Sequence, residues 1–297
     1  MKKLNVSIII PTRNRYDKLI KTISYLSKNS FFFKELIIVD SSESKKEYKK
    51  YLKSKFRNLN IKIFYSNPSI SLQRNIGLRK VKKNSNYIMF LDDDIKFKKN
   101  SLRIMKNFLI KNKMYYGIGF NLITKDNYYF IEKFKKSKLF KFLGVYDDTK
   151  GKVTPSGWHT KAINLKNDTL VEWLSTQAVI YKYKIIKKNK FNLNYGTYSY
   201  LEDLDFSYKI KKKLIIHSKA KYSSNNVVKR NKFKFGQKEI INRFIFVKKY
   251  KLSFIRFGIG SLLLISKNTL FILIEINNFF RVLGNFTGIL KLLIKNK

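Results

Sequence analysis

The chain reads as an α/β fold, a doubly wound, mostly parallel sheet flanked by helices, and three observations predict it. Short β-branched runs such as Val6-Ser7-Ile8-Ile9-Ile10 and Leu36-Ile37-Ile38-Val39 are almost continuously apolar, as strands covered on both faces are. Helical periodicity fills the intervals between them. Two of the first four strands end in aspartate, which gathers acid on one edge of the sheet.

Taken in order, the first strand ends in Pro11-Thr12-Arg13-Asn14-Arg15. A helix over residues 17–26 follows, with Leu19, Ile20, Ile23 and Leu26 on one side. The second strand ends in Asp40, then Ser41-Ser42. Residues 61–65 form a third strand, Asn67-Pro68 a turn, and residues 71–81 a helix. The fourth strand, Tyr87-Ile88-Met89-Phe90-Leu91, stops at Asp92-Asp93-Asp94. Like charges at the end of a buried strand call for a cation among them. Hard oxygen ligands suit Mg²⁺ or Mn²⁺, which bridge one or two carboxylates to substrate phosphates. The alternative is a solvated acidic turn.

Residues 102–110 read as a helix and 116–123 as a strand. From 124 to about 168 periodicity is lost, the mark of a functional loop; Trp158 there is placed either to stack on a sugar or to anchor the loop. Val171-Glu172-Trp173-Leu174-Ser175-Thr176-Gln177 precedes an apolar strand, 178–181. Glu202, Asp203 and Asp205 crowd the first turn of a helix reaching Ile210. That suits the helix dipole, and an exposed carboxylate there is also placed as a general base. Residues 214–217 and 220–222 read as two closing strands, with His217 a packed or edge residue.

Composition excludes several chemistries. With no cysteine and only His159 and His217, a thiolate site, a His-rich zinc site and a Ser-His-Asp triad are all disfavoured. Neither G-x-G-x-x-G nor a Walker motif follows the first strand, so nucleotide contacts would come from strand-end groups, with Asp40 and Arg74 as candidates. Taken alone, Arg74 reads as a surface helix residue. The formal charge of +45 points to polyanions or anionic lipid, although lysine is spread through the whole chain as a compositional bias would spread it.

Assembled, these pieces resemble the inverting glycosyltransferases of family 2, which have the GT-A fold. The resemblance rests on Ile10-Pro11-Thr12-Arg13-Asn14-Arg15, Ile38-Val39-Asp40-Ser41-Ser42, Gln73-Arg74-Asn75-Ile76-Gly77, Phe90-Leu91-Asp92-Asp93-Asp94, Trp173-Leu174-Ser175 and Glu202-Asp203-Leu204-Asp205. It covers roughly residues 4–225. It implies that Pro11, Thr12, Arg13, Asp40, Arg74, Asp92 and Asp93 contact the nucleotide, that Asp94 ligates Mg²⁺ or Mn²⁺, and that Asp203 is the base. Trp158, Trp173 and Glu202 become acceptor-side candidates. The implied donor is a nucleotide sugar, UDP- or dTDP-linked, and the acceptor a saccharide or lipid-linked saccharide of cell-surface polysaccharide or glycolipid synthesis. Two departures stand out: Ala220-Lys221-Tyr222-Ser223-Ser224 lacks the histidine common in the family, and Thr176 stands where a glycine is frequent.

The implied organisation is a catalytic domain over residues 1–228, divided at 123/124 into nucleotide and acceptor halves, and an extension over 229–297. The extension is basic, with Ile240, Ile241, Phe244, Phe246 and Val247 at helical spacing. Its apolar runs, 257–265 and 270–274, are interrupted by Ser266-Lys267-Asn268-Thr269, and Lys267 would sit in mid-membrane if they spanned. Interfacial helices on an anionic membrane are therefore expected, against a soluble helical pair packed on the sheet or a second subunit. The start of the chain lacks a signal-peptide pattern, so a cytoplasmic enzyme peripheral to the membrane's inner face is expected. Oligomerisation stays open. The rival reading is a non-enzymatic polyanion-binding protein, disfavoured because no nucleic-acid module is recognisable.

Overall fold

The computed structural model describes residues 4–43, 47–124, 138–224 and 231–295. The chain divides into two compact units, Met1–Lys125 with Ala162–Asn226, and Asp126–Lys161 with Val227–Lys297. The loop expected within the acceptor half thus groups, over most of its length, with the C-terminal helices.

The first unit is built on a nine-stranded sheet among the described residues. Strands β1 (Val6–Thr12), β2 (Glu35–Asp40), β3 (Ile61–Tyr65) and β4 (Tyr87–Leu91) alternate with helices α1 (Tyr16–Ser27), α2 (Glu47–Lys55) and α3 (Ile70–Lys80). After them come β5 (Ile95–Phe97), α4 (Ser101–Lys111), β6 (Gly117–Leu122), β7 (Thr169–Val171), β8 (Ala178–Lys182), the single-turn α6 (Tyr183–Ile186), α7 (Glu202–Tyr208) and β9 (Leu214–Ser224); the short α5 (Lys138–Phe142) lies in the second unit. The order is β3-β2-β1-β4-β8-β6-β9-β5, with β7 beside β9. Its β3-β2-β1-β4 half is wholly parallel, and β8 joins it antiparallel to β4.

Period-two alternation divides the core. Ile8, Ile10, Ile38 and Met89 face one layer with Leu19, Ile23, Leu102 and Met105 of α1 and α4. Ile9, Ile37, Ile88 and Phe90 face the other, with Leu78 of α3 and Phe206 of α7. On that second side Gly77 lets α3 press onto β1: a Cβ there would lie 2.4 Å from Ile9 Cγ2. β1 connects to β2 on one side and has β4 on the other, so strand order reverses between β1 and β4. Open α/β sheets bind ligands at the carboxyl ends of such a pair. Thr12 and Asp92-Asp93-Asp94 stand there.

The two expected closing strands are one, β9. Its register against β6 shifts between Phe120 and Asn121, passing from His217 to Lys221. Buried Asn121 fills the irregularity, donating to the carbonyls of Leu165 and Ser218.

In the second unit, α8 (Lys232–Lys249), α9 (Phe254–Leu270) and α10 (Asn278–Lys295) follow one another. The expected interruption at 266–269 is absent: α9 runs through it, because Asn268 is buried and donates to Asn285 Oδ1 at 2.8 Å. With the 3₁₀ turn Phe271–Leu273 it makes a stretch, Phe254–Leu273, long and apolar enough to cross a membrane.

Candidate active site

Two backbone neighbours and one side chain set the site's frame. Thr12 and Asp40 are register partners at the ends of β1 and β2. Gln73 of α3 donates to the carbonyls of both Thr12 and Val39 at 2.8 Å, tying the helix to the two strand ends. Asp40 has no exposed surface; its Oδ1 accepts from the Ser42 amide at 2.8 Å and from the Ser42 hydroxyl. Its Oδ2 accepts from Tyr16 Oη at 3.5 Å. Asp40, expected at the nucleotide, is thus committed on one side to its own turn.

The three aspartates after β4 diverge. Asp93 points inward with no exposed surface, accepting from Thr12 Oγ1 at 2.7 Å, while its carbonyl accepts from Thr22 of α1 at 2.8 Å. Burial pushes its carboxyl up to about 7, against the pull of Arg15 and Thr12. Asp93, expected at the nucleotide, is fully buried here and braces the turn through Thr12 and Thr22. Arg15 caps the turn from α1's entrance, 3.1 Å from Asp93 and 3.0 Å from Asp94, with Lys18 at 3.7 Å from Asp94. Asp92 turns the other way, to Arg74.

Arg74 is the centre of the arrangement. It is 1% exposed, so the surface reading is wrong. One guanidinium nitrogen donates to Asp92 Oδ1 at 2.9 Å and the other to Glu202 Oε1 at the start of α7. The head group also lies 5.6 Å from the Phe191 ring centroid. Phe191 stacks on Phe206 at 4.1 Å, and Phe90 meets both edge-on, so an aromatic cluster holds α7 beneath the arginine. Arg74 therefore joins the strand-end turn to the helix start, 128 residues further on.

α7 begins abruptly. Leu201 turns the chain with a φ of 74°, a left-handed conformation that costs a non-glycine residue roughly 1–2 kcal/mol. The carboxylates that follow are not exposed as expected: Glu202 and Asp205 are buried, and Asp203 is half-buried. Burial drives the Asp203 carboxyl upward, opposed by the Leu204 amide, the Arg74 charge and the Ser175 hydroxyl. Glu202 is driven up in the same way and by the Asp203 charge. The loop after β7 carries half-buried Trp173, the Ser175 that bonds Asp203, and Thr176, whose hydroxyl lies 3.4 Å from Glu202 Oε1. A side chain at Thr176's position thus serves to hold the acid. Tyr222 of β9 donates to Gln177 Oε1 at 3.0 Å; burial and then the negative charges of Asp92 and Asp203 raise its phenol's pKa.

Of the other expected residues, Pro11 and Thr12 are buried in β1, and Arg13 is half exposed and pairs with Glu43 at 3.3 Å. Trp158 belongs to the second unit, under the Arg243 guanidinium at 4.4 Å and against Phe257, a packed anchor. His217 stacks on Phe108 and bonds Asp168. Sequence reasoning gave no role to Arg15, Gln73 or Tyr222. Arg15 had one available signal, a cation three residues after Thr12 on the acidic edge; the other two had none.

For a divalent cation the fit is partial. Among the described residues no three His, Cys, Asp or Glu groups gather around a point. Asp94 Oδ1, however, is buried without a hydrogen-bond partner, the condition a cation would relieve. One carboxylate plus diphosphate oxygens is an ordinary Mg²⁺ arrangement. Asp94 is thus the residue that would hold the ion.

A doubly wound sheet with acids at its switch point and a second acidic helix start joined to them defines a GT-A type transferase fold. The family model "Glycosyl transferase family 2" matches residues 7–169, and the chain belongs to that family. Among solved structures, the mannosyltransferase PcManGT from Pyrobaculum calidifontis, in complex with GDP-Man and Mn²⁺, is 11% identical with a TM-score of 0.56. The superposition covers 98% of this chain and 88% of that one. S. aureus TarS 1-349 in complex with UDP-GlcNAc is 17% identical, TM-score 0.54, covering 90% and 73%. Protein Ycf2 of Physcomitrium patens is 29% identical over 234 residues, 68% of this chain, which spans only 10% of Ycf2's length.

Proposed function

We propose that the chain is an inverting glycosyltransferase that moves a sugar, of hexose type, from a nucleoside-diphosphate donor to a saccharide or lipid-linked acceptor. The observation that carries this reading is Arg74, which brings Asp92 at the nucleotide-binding edge and Glu202, the chain neighbour of Asp203, onto one guanidinium. UDP- and dTDP-sugars are the donors proposed, and cell-surface polysaccharide or glycolipid synthesis at the inner face of the cell membrane the setting.

In this mechanism Asp203 accepts the acceptor hydroxyl's proton as its oxygen bonds to the anomeric carbon. The bond to the diphosphate breaks on the opposite face, and its electron pair leaves with the nucleoside diphosphate, inverting the centre. General-base help of this kind contributes about 10²–10⁴-fold. A divalent cation held by Asp94 would supply positive charge for the departing diphosphate, so no protein acid is required there. Arg74 and Glu202 position the base; Ser175 and the Leu204 amide orient its carboxylate. Burial raises its basicity above that of a free carboxylate.

The test is calorimetric titration of UDP, dTDP and GDP with Mn²⁺ present, followed by transfer assays on Asp203→Asn. Binding of one nucleotide, retained within a few-fold in the variant while transfer falls at least 10²-fold, is expected. No binding of any nucleoside diphosphate would overturn the donor assignment, and unchanged turnover would remove Asp203 as base.

A further inference from the structure

The second unit leaves an apolar helix face uncovered. On α10, Phe279, Leu283, Phe286, Leu290 and Leu293 are between 38% and 62% exposed. Their spacing of four, three, four and three residues draws one stripe along the whole helix, about 27 Å for its length. Phe280 and Ile294 widen it. The other side of α10 is already taken. A Cβ on Gly284 would lie 2.1 Å from the Phe233 carbonyl oxygen, so α8 and α10 touch through backbone. Asn285 is buried and donates to the Gly236 carbonyl at 2.9 Å. The exposed stripe is therefore the side left over once packing is complete. Ile255, Leu262, Leu273 and Ile274, from α9 and the turn after it, are exposed as well. Soluble monomers rarely leave contiguous apolar patches larger than a few hundred Å² uncovered without an interaction to cover them.

Charge selects the occupant. From residue 276 to 295 there is no Asp or Glu, while Lys291 and Lys295 are present beside Arg281, whose guanidinium is already paired with Glu239 of α8; α9 carries Arg256 and Lys267 and no acid. A helix seam with a second copy would set cation against cation, with no acid from these two helices to pair them. An anionic bilayer offers apolar depth and opposite charge together. Spanning is disfavoured by Asn268, which is buried against Asn285 of α10, and by Lys267 within the same apolar stretch. We infer that α10, with the exposed residues of α9, lies flat in the headgroup region of an anionic-lipid membrane. This surface does not depend on the transferase reading.

Flotation of the full chain with phosphatidylcholine vesicles, with and without phosphatidylglycerol, tests it. The chain should float with the anionic vesicles at least tenfold more than with the neutral ones. The triple variant Leu283→Ser, Phe286→Ser, Leu290→Ser should lose about tenfold or more of that partitioning. These side chains are solvent-facing, so its circular dichroism and thermal unfolding should match the parent and certify the fold. Alkaline carbonate should release the bound chain. Equal flotation of parent and triple variant, carbonate-resistant insertion, or no flotation with a lipid-free dimer that the triple variant abolishes would each overturn the inference, the last in favour of a second copy.

Discussion

Arg74 is ion-paired with two acids at once, part-buried Asp92 and buried Glu202. Removing one member of a buried ion pair costs roughly 3–5 kcal/mol, because the remaining charge keeps its desolvation penalty. Arg74→Met keeps an unbranched apolar stem and deletes the charge, the two donated bonds and the guanidinium over the Phe191 ring. Urea unfolding should show a loss of about that size, with Arg74→Lys intermediate since an ammonium cannot reproduce the fork. A second consequence separates a catalytic position from a merely structural one. Arg74 is among the groups holding the Asp203 carboxyl down against burial. The proposed base must be ionised to work, so transfer should rise with pH through an ionisation above the ordinary aspartate value; in Arg74→Met that limb should move to still higher pH. A pH–rate profile with an unmoved acid limb would detach Arg74 from the base. Arg15 makes a companion prediction. Its guanidinium sits on Asp93 and Asp94, the place a metal's charge would fill. Arg15→Gln should therefore bind Mn²⁺ alone several-fold more tightly than the parent, read by electron paramagnetic resonance. Equal or weaker affinity would show that the two cations do not share Asp94.

At the scale of elements, glycine in helices gives opposite outcomes according to what faces it. Gly258 of α9 has nothing within 4 Å of a built Cβ, so Gly258→Ala should stabilise by about 0.5–1 kcal/mol through helix propensity alone. Gly284 of α10 faces backbone that cannot rotate away, so Gly284→Ala should destabilise by about 1–3 kcal/mol as α8 and α10 are forced apart. Thermal midpoints of the two variants, moving in opposite directions, check both. The same contrast explains what the sequence discloses. β1, β2 and β4 are legible because burial on both faces demands a local apolar run, while β3, at the sheet's edge, is only half-buried. α2 is not, since Glu47-Tyr48-Lys49-Lys50-Tyr51-Leu52 is mostly polar and, among its described side chains, only Tyr48 and Leu52 are buried. α9 looks broken because Asn268 reads as polar, and its partner Asn285 lies 17 residues away. The site follows the same rule. Strand-end acids announce themselves locally, whereas the meaning of Arg74 depends on Asp92, 18 residues on, and Glu202, 128 residues on.

At the scale of the whole molecule, a net charge of +45 would by itself attract any polyanion, and it is the one feature that favours a binding protein over a transferase. Salt separates the two. Non-specific association with DNA works by releasing counterions. For six to ten phosphate contacts, affinity falls by about 10³–10⁵ between roughly 50 and 200 mM salt. A nucleoside diphosphate held among part-buried groups, with few charges exchanged, is screened far less. Duplex DNA retention should therefore collapse over that interval, while the thermal stabilisation given by the preferred nucleotide with Mn²⁺ persists. The diffuse lysines and the acids assembled by Arg74 would then be doing separate things. The reverse pattern, sequence-dependent DNA binding that survives salt and no nucleotide stabilisation at any ionic strength, would return the chain to the polyanion-binding class. In that outcome the joined acids would be only the internal brace of a GT-A scaffold.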